Sequence, residues 1–219
     1  MVNLGVLISG SGSNLQAIID NIEAGRVDAK IQIVISNEAD VLGLERARRH
    51  GIPSLVIPHK GLKREEYDQK LVGTLRAYRV ELVVLAGFMR IITQVLLRAF
   101  PRRVMNIHPA LLPAFPGTHV WQAEVDYGVK FAGCTVHFVD EGTDTGPIII
   151  QAVVPVYDDD TADTLNARIL KQEHKIYSQA IQLYAEGRLE IHGRRVRVKD
   201  YPKALDTFMV NPPAAIFDR

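Results

Sequence analysis

Short apolar runs alternate with helical periodicity through the first half of the chain, which predicts a parallel sheet covered on both faces. Leu4–Ile8 reads as a strand, followed by a Gly/Ser turn and a helix carrying Leu15, Ile18, Ile19 and Ile22 on one side. Further strands are predicted at Ile31–Ile35, Leu55–Ile57, Leu82–Ala86 and Arg103–Ile107, the wholly apolar Leu82–Ala86 at the centre. Between them lie a helix over Val41–His50 stopped by Gly51, one marked by Tyr67, Leu71, Leu75 and Tyr78, and a short one around Val95–Ala99.

Beyond Ile107 the pattern changes. Pro109, Pro113, Pro116 and Gly117 hold an irregular loop open, because proline removes backbone donors and glycine permits unusual angles. Gly133–Val139 and Ile148–Val156 follow with no long helix between them, so they are expected to pair antiparallel at the edge of the sheet. Thr161 caps a long helix to about Glu186, and Leu189–Ile191 with Arg195–Val198 reads as a small hairpin. The expected fold is α/β and Rossmann-like: a mostly parallel sheet with helices on both faces and an antiparallel edge extension. A single domain is expected over residues 1–200, with an extended C-terminal tail over 201–219.

Composition narrows the partners. The 219 residues carry a net charge of +1, with 47% hydrophobic and 23% charged positions, which argues against a nucleic-acid backbone or an anionic membrane. Small anionic ligands need only a local site. Cys134 is the single cysteine, so no intrachain disulfide can form, and a reducing compartment is expected. With no basic, apolar leader at the N-terminus, the expected location is cytoplasmic. His108, His119 and His137 lack the His-x-x-x-His or Cys-pair spacing of a metal site, so no metal is expected. Arg194, Arg195, Arg197 and Lys199 read as a solvated hairpin face.

Five segments carry candidate chemistry. Ser9-Gly-Ser-Gly-Ser-Asn14 offers backbone N–H groups at a helix N-terminus, a site for an anion. Leu15 stands where the dinucleotide fingerprint has its third glycine, so the alternatives are a phosphate loop or a tight turn that binds nothing. Asn106 and His108, two apart on a strand, face one side, where they form either a reacting centre or a strand-end pair satisfied by loop carbonyls. Asp140 to Pro147 is an acidic turn, either solvated or bringing Asp144 back to orient His108. Glu173 falls within the apolar stripe Leu165, Ile169, Ile176, Ala180 and Leu183, where a carboxylate is costly without a partner. A substrate amine would serve, as would Arg168 or water. Arg90, just beyond Gly87, is a candidate cation for an anionic ligand or an exposed helix-start residue.

Together these segments resemble the phosphoribosylglycinamide formyltransferases, folate-dependent enzymes of purine synthesis, from about Leu4 to Leu189. The resemblance rests on Leu7-Ile-Ser-Gly-Ser-Gly-Ser-Asn-Leu-Gln-Ala-Ile, Gly43-Leu-Glu-Arg-Ala, Val84-Leu-Ala-Gly-Phe-Met-Arg-Ile, Asn106-Ile-His-Pro-Ala-Leu-Leu-Pro, Phe115-Pro-Gly-Thr-His, Thr135-Val-His-Phe-Val and Gln172-Glu-His-Lys-Ile-Tyr. It implies a catalytic trio of Asn106, His108 and Asp144, and ribonucleotide contacts from Gly12, Ser13, Asn14 and Glu173. It implies a folate pocket from Met89, Arg90, Ile91, Ile92, Val139, Asp140, Glu141, Gly142 and Thr143, with Arg64 touching the folate. The implied substrates are 10-formyltetrahydrofolate, as formyl donor, and phosphoribosylglycinamide, with no metal. Trp121-Gln-Ala-Glu-Val-Asp departs from the family, where a less bulky start and an Ala-Leu pair are common. A formyltetrahydrofolate hydrolase, the alternative reading, would share the Asn-x-His and Asp pattern but normally carry a further N-terminal domain; a methionyl-tRNA formyltransferase would need a C-terminal one and is not expected. A Rossmann-type oxidoreductase is disfavoured by the broken fingerprint, and a noncatalytic phosphate-binding module by Asn106, His108 and Asp144.

Overall fold

The computed structural model describes residues 1–200, so the expected tail over 201–219 lies outside the described residues. The parallel part of the sheet contains β1 (Val2–Ile8), β2 (Ala29–Ser36), β3 (Ser54–Val56), β4 (Leu82–Leu85) and β5 (Val104–His108). It continues through β6 (Phe131–Phe138), β7 (Ile148–Pro155), β8 (Leu189–His192) and β9 (Arg195–Val198). Among the described residues the strand order is β3-β2-β1-β4-β5-β6-β7-β9-β8. The pairing is parallel from β3 to β5 and antiparallel from β5 to β6 and from β6 to β7.

Helices cover both faces, as the apolar strands require. On one face α1 (Ser13–Glu23), α2 (Leu42–Arg49) and α6 (Ala162–Ala185) bury Leu15, Ile18, Leu44, Leu165 and Ile169 against Leu4, Val6, Val84 and Met105. On the other, α3 (Arg64–Ala77) and α4 (Gln94–Ala99) bury Tyr67, Leu71 and Leu96 against Leu7, Ile33, Val83 and Val104. Tyr177 of α6 ties the layers together, its hydroxyl lying 3.0 Å from the Leu85 carbonyl and 2.9 Å from that of Met105.

The sheet edge differs from expectation. β6 and β7 do pair antiparallel, but they are not the edge, because β9 adds parallel to β7 at Ile148↔Arg195 and carries β8 outside it. The hairpin is thereby part of the sheet. Its first strand, β8, follows α6 after the short link 186–188.

The Trp121 segment forms α5 (Val120–Tyr127), closed by Gly128 in the left-handed conformation. Its apolar side packs on the core through Trp121 and Val125. Glu124 shares that side: it is 1% exposed, and its Oε2 meets no partner among the described residues. Burial pushes its pKa up from 4.5 to about 8. The folded state thus holds the proton more tightly than the unfolded chain, so stability is greatest below pH 4.5 from this group and is lost as pH rises toward 8. Urea melts at about pH 5.5 and pH 8 should show that loss in the wild type and a smaller one in Glu124→Gln, with the variant ahead at the higher pH by about 1–3 kcal/mol. Parallel pH profiles would mean that Glu124 ionises without cost.

Candidate active site

The strand order reverses direction between β1 and β4, with α1 on one face and α3 on the other. Open α/β sheets bind ligands in the crevice outside the carboxyl ends of such strands. Here that crevice receives the loop after β1, the segment after β4 and the end of β5.

Asn106 and His108 end β5, and their neighbours Met105 and Ile107 turn into the α6 side of the core, which leaves the pair on the other face. His108 is 3% exposed. Its Nδ1 lies 3.3 Å from Asp144 Oδ2, and its Nε2 is 2.8 Å from the Phe115 carbonyl oxygen. Both nitrogens face acceptors, so only the doubly protonated ring can donate to both. Asp144 has a positive φ of 54° at the end of its turn, and Gly146 lets the chain return, since a Cβ there would collide with the Phe138 carbonyl. Asp144 also accepts the Gly117 N–H at 2.9 Å.

His137 joins this cluster. It is the cross-strand partner of Asn106 in the β5–β6 ladder, and its Nε2 lies 3.3 Å from Asn106 Nδ2 and 3.6 Å from Asp144 Oδ1. Its Nδ1 faces the Phe138 carbonyl at 2.9 Å, so Nε2 accepts from Asn106 in the neutral ring and turns to Asp144 as a donor when the ring is protonated. The second Asn106 N–H points at Asp144 Oδ1 over 3.5 Å, a weak bond. Burial raises the Asp144 pKa, but the hydrogen bonds from His137 and Gly117 and the nearby imidazole charges outweigh it and hold the carboxyl below its usual value. His119 stands outside the cluster, its Nδ1 turned to Thr118 Oγ1 at 3.1 Å.

Asn106, His108 and Asp144 line one wall of a cavity of ≈ 530 Å³. Met89, Arg90, Ile91 and Ile92 line it from the segment after β4, and Val139, Asp140, Glu141, Gly142 and Thr143 from the acidic turn. Met89 and Ile91 are 71% and 59% exposed, so the mouth is apolar. The Arg90 guanidinium stacks 4.6 Å over the Tyr67 ring instead of projecting from a helix start. The Ser9 hydroxyl accepts the Met89 N–H at 2.8 Å, and Asp68 accepts the Thr93 N–H at 2.5 Å, pinning the segment at both ends. Arg64 is exposed on the first turn of α3 and is not among the walls of this cavity, so the structure does not bring it together with the rest of its set.

Across the crevice, Gly12 caps α1 with φ of 67°, and a Cβ there would stand 2.7 Å from the Gly43 Cα. Glycine is thus required at position 12 by φ and by the close approach of α2 as well as by any ligand. Asn14 donates through Nδ2 to Glu173 Oε2 at 2.7 Å, joining the loop to α6. Glu173 is 6% exposed, and burial raises its pKa while the Asn14 bond opposes the rise. Arg168 is not its partner: that guanidinium forks onto Asp160 at 2.7 and 2.8 Å. Asn14 Oδ1 and His174 Nε2 remain buried without partners among the described residues. Cys134 is no nucleophile, since burial and then the Glu173 charge push its thiol up to about 12.

His137 was not singled out as a site residue in the sequence. The signal was its two-residue spacing from Thr135 on a strand, which becomes informative only once the register opposite Asn106 is known.

The chain belongs to the formyl transferase family, whose pattern it matches over residues 2–181. It is 44% identical to phosphoribosylglycinamide formyltransferase of Escherichia coli strain K12, covering 87% of this chain and 91% of that protein. It is 51% identical over 83% of its length to the trifunctional purine biosynthetic protein adenosine-3 of Drosophila melanogaster, of whose length it spans 14%. The crystal structure of glycinamide ribonucleotide transformylase 1 from Symbiobacterium toebii superposes with a TM-score of 0.89 at 54% identity, covering 90% of this chain and 94% of that one. Among the described residues no helix is long and apolar enough to cross a membrane.

Proposed function

We propose that the chain transfers the formyl group of 10-formyltetrahydrofolate to the primary amine of N1-(5-phospho-D-ribosyl)glycinamide in purine biosynthesis, in the cytoplasm, as a single domain over residues 1–200. The observation that carries the reading is the His108–Asp144 pair on the wall of an apolar-mouthed cavity, beside a helix N-terminus with free N–H groups. The family membership and the named relatives support it.

The cavity takes the pterin and its linker. At ≈ 530 Å³ it falls within the usual range for such ligands, with Met89 and Ile91 offering apolar surface and the acidic turn offering acceptors to ring N–H groups. Arg64, exposed at its side of the molecule, reaches only the part of the folate that extends beyond the cavity. Gly12, Ser13 and Asn14 hold the phosphate, and Glu173 the glycinamide end.

The neutral amine attacks the formyl carbon directly, with no acyl-enzyme. As the tetrahedral centre forms, its oxyanion takes an N–H from Asn106, drawn from the weak 3.5 Å contact with Asp144, and an N–H from His108. His108 Nε2 reaches the reacting group by exchanging the Phe115 carbonyl for it. His108 delivers its proton to the departing folate nitrogen and takes up the one that the attacking amine loses, so protons balance, with Asp144 stabilising the imidazolium. The C–N bond to the folate breaks, giving formylated ribonucleotide and tetrahydrofolate.

Glu173 gives a ligand-specific test. Glu173→Gln keeps the shape and removes the charge, so calorimetry should show ribonucleotide binding weaker by about 1–3 kcal/mol with formylfolate binding retained. Unchanged ribonucleotide affinity would leave Glu173 as a structural partner of Asn14 alone. The reading as a whole is tested by formylfolate consumption with and without the ribonucleotide. Amine-dependent turnover supports transfer, amine-independent release of formate supports hydrolysis, and no turnover supports a binding module.

A further inference from the structure

We infer that Arg46, on α2, is the positioning residue that turns the phosphate loop toward its anion. This rests on the ribonucleotide reading of the loop given above. The loop Ser9-Gly-Ser-Gly-Ser-Asn14 contains no cation, so its attraction for a phosphate comes from N–H groups and the α1 dipole alone. Those N–H groups help only if they point outward together.

α2 makes them do so. The Gly43 N–H donates to the Gly10 carbonyl at 3.1 Å, and Arg46 Nε donates to the Ser11 carbonyl at 2.9 Å. In a trans peptide the C=O and the following N–H point in opposite directions. Holding the carbonyls of Gly10 and Ser11 against α2 therefore turns the N–H groups of Ser11 and Gly12 away from it. The N–H groups of Ser11, Gly12, Ser13 and Asn14 meet no acceptor among the described residues. Beside them the buried Asn14 Oδ1 is also without a partner among the described residues; as an acceptor it calls for a donor, which the hydroxyls or amine of the ribonucleotide supply and the phosphate does not.

Arg46 is braced for the task. Its Nη1 donates to Gln16 Oε1 at 3.2 Å, and Gln16 donates in turn to Asp20 at 2.8 Å, so the guanidinium is fixed along α1. Burial holds the His174 imidazole pKa below its usual value; the Asp20 charge opposes that shift and the Arg46 charge adds to it. The guanidinium thus places a fixed positive charge behind the loop while leaving the N–H groups free. Lysine cannot hold the Ser11 carbonyl and Gln16 at once with a planar fork.

The test compares wild type, Arg46→Met and Arg46→Lys in two assays. In binding, ribose 5-phosphate should bind Arg46→Met about 10- to 100-fold more weakly than wild type, with Arg46→Lys between them. In turnover, Arg46→Met should raise KM for the ribonucleotide by a similar factor and leave KM for formylfolate alone. Its kcat/KM for glycinamide riboside, which lacks the phosphate, should change far less. Equal losses on ribonucleotide and riboside, or wild-type affinity for ribose 5-phosphate in Arg46→Met, would overturn the inference. Absence of amine-dependent turnover in the wild type would instead refute the functional reading, and the ribose 5-phosphate comparison would still decide the role of Arg46.

Discussion

In His108→Ala, kcat is expected to fall by about 10²-fold or more, the usual range for a lost proton-transfer group, while both ligands still bind. The ring is 3% exposed at the end of a central strand, with one nitrogen on Asp144 and the other on the Phe115 carbonyl. Its loss removes the proton donor and one of the oxyanion donors together. The residual rate then comes from holding the substrates side by side and from Asn106. Pre-steady-state mixing separates chemistry from product release, and the deficit should lie in chemistry. Near-normal turnover in a folded His108→Ala protein would remove the ring from the mechanism.

Asp144→Asn is expected to be comparably severe, about 10²- to 10³-fold in kcat. The carboxylate sits 3.3 Å from one imidazole and 3.6 Å from another, and it also receives the Gly117 N–H. The amide keeps the shape, loses the charge that stabilises an imidazolium, and presents an N–H where an acceptor is required. Because the folded pKa is depressed, the stability Asp144 contributes is fully present above its unfolded value of 3.8 and is lost as pH falls through the lower folded value. The stability gap between wild type and Asp144→Asn should therefore be constant near neutrality and close only below about pH 4. A gap that closes between pH 5 and 7 would place the titration on a histidine instead.

Much of this was legible in the chain. The period-two alternation of β5 already put Asn106 and His108 on one side, and the apolar run Leu82–Ala86 already read as central. Glu173 stood out because a carboxylate interrupts a helical stripe, and the structure buries it there. Other features depend on docking that no local pattern encodes. His137 enters through β5–β6 register, and Arg46 through a contact with Ser11 that exists only once Gly43 lets α2 approach Gly12. The bulky Trp121 segment was visible as a departure, but the burial of Glu124 beneath it depends on how α5 meets α6. Arg168 was a candidate partner for Glu173 by helical proximity, yet Asp160 at the start of the same helix captures it with a bidentate pair.

The central claim is direct transfer from folate to amine, and the most direct measurement follows the formyl carbon itself. The protein is mixed with 10-formyltetrahydrofolate labelled with heavy carbon in the formyl group and with phosphoribosylglycinamide, and the products and the protein are weighed by mass spectrometry. The account predicts label on the ribonucleotide amine, an equal amount of tetrahydrofolate, and no label on the protein. Label released as formate, or retained on the protein as a formyl adduct, would contradict it.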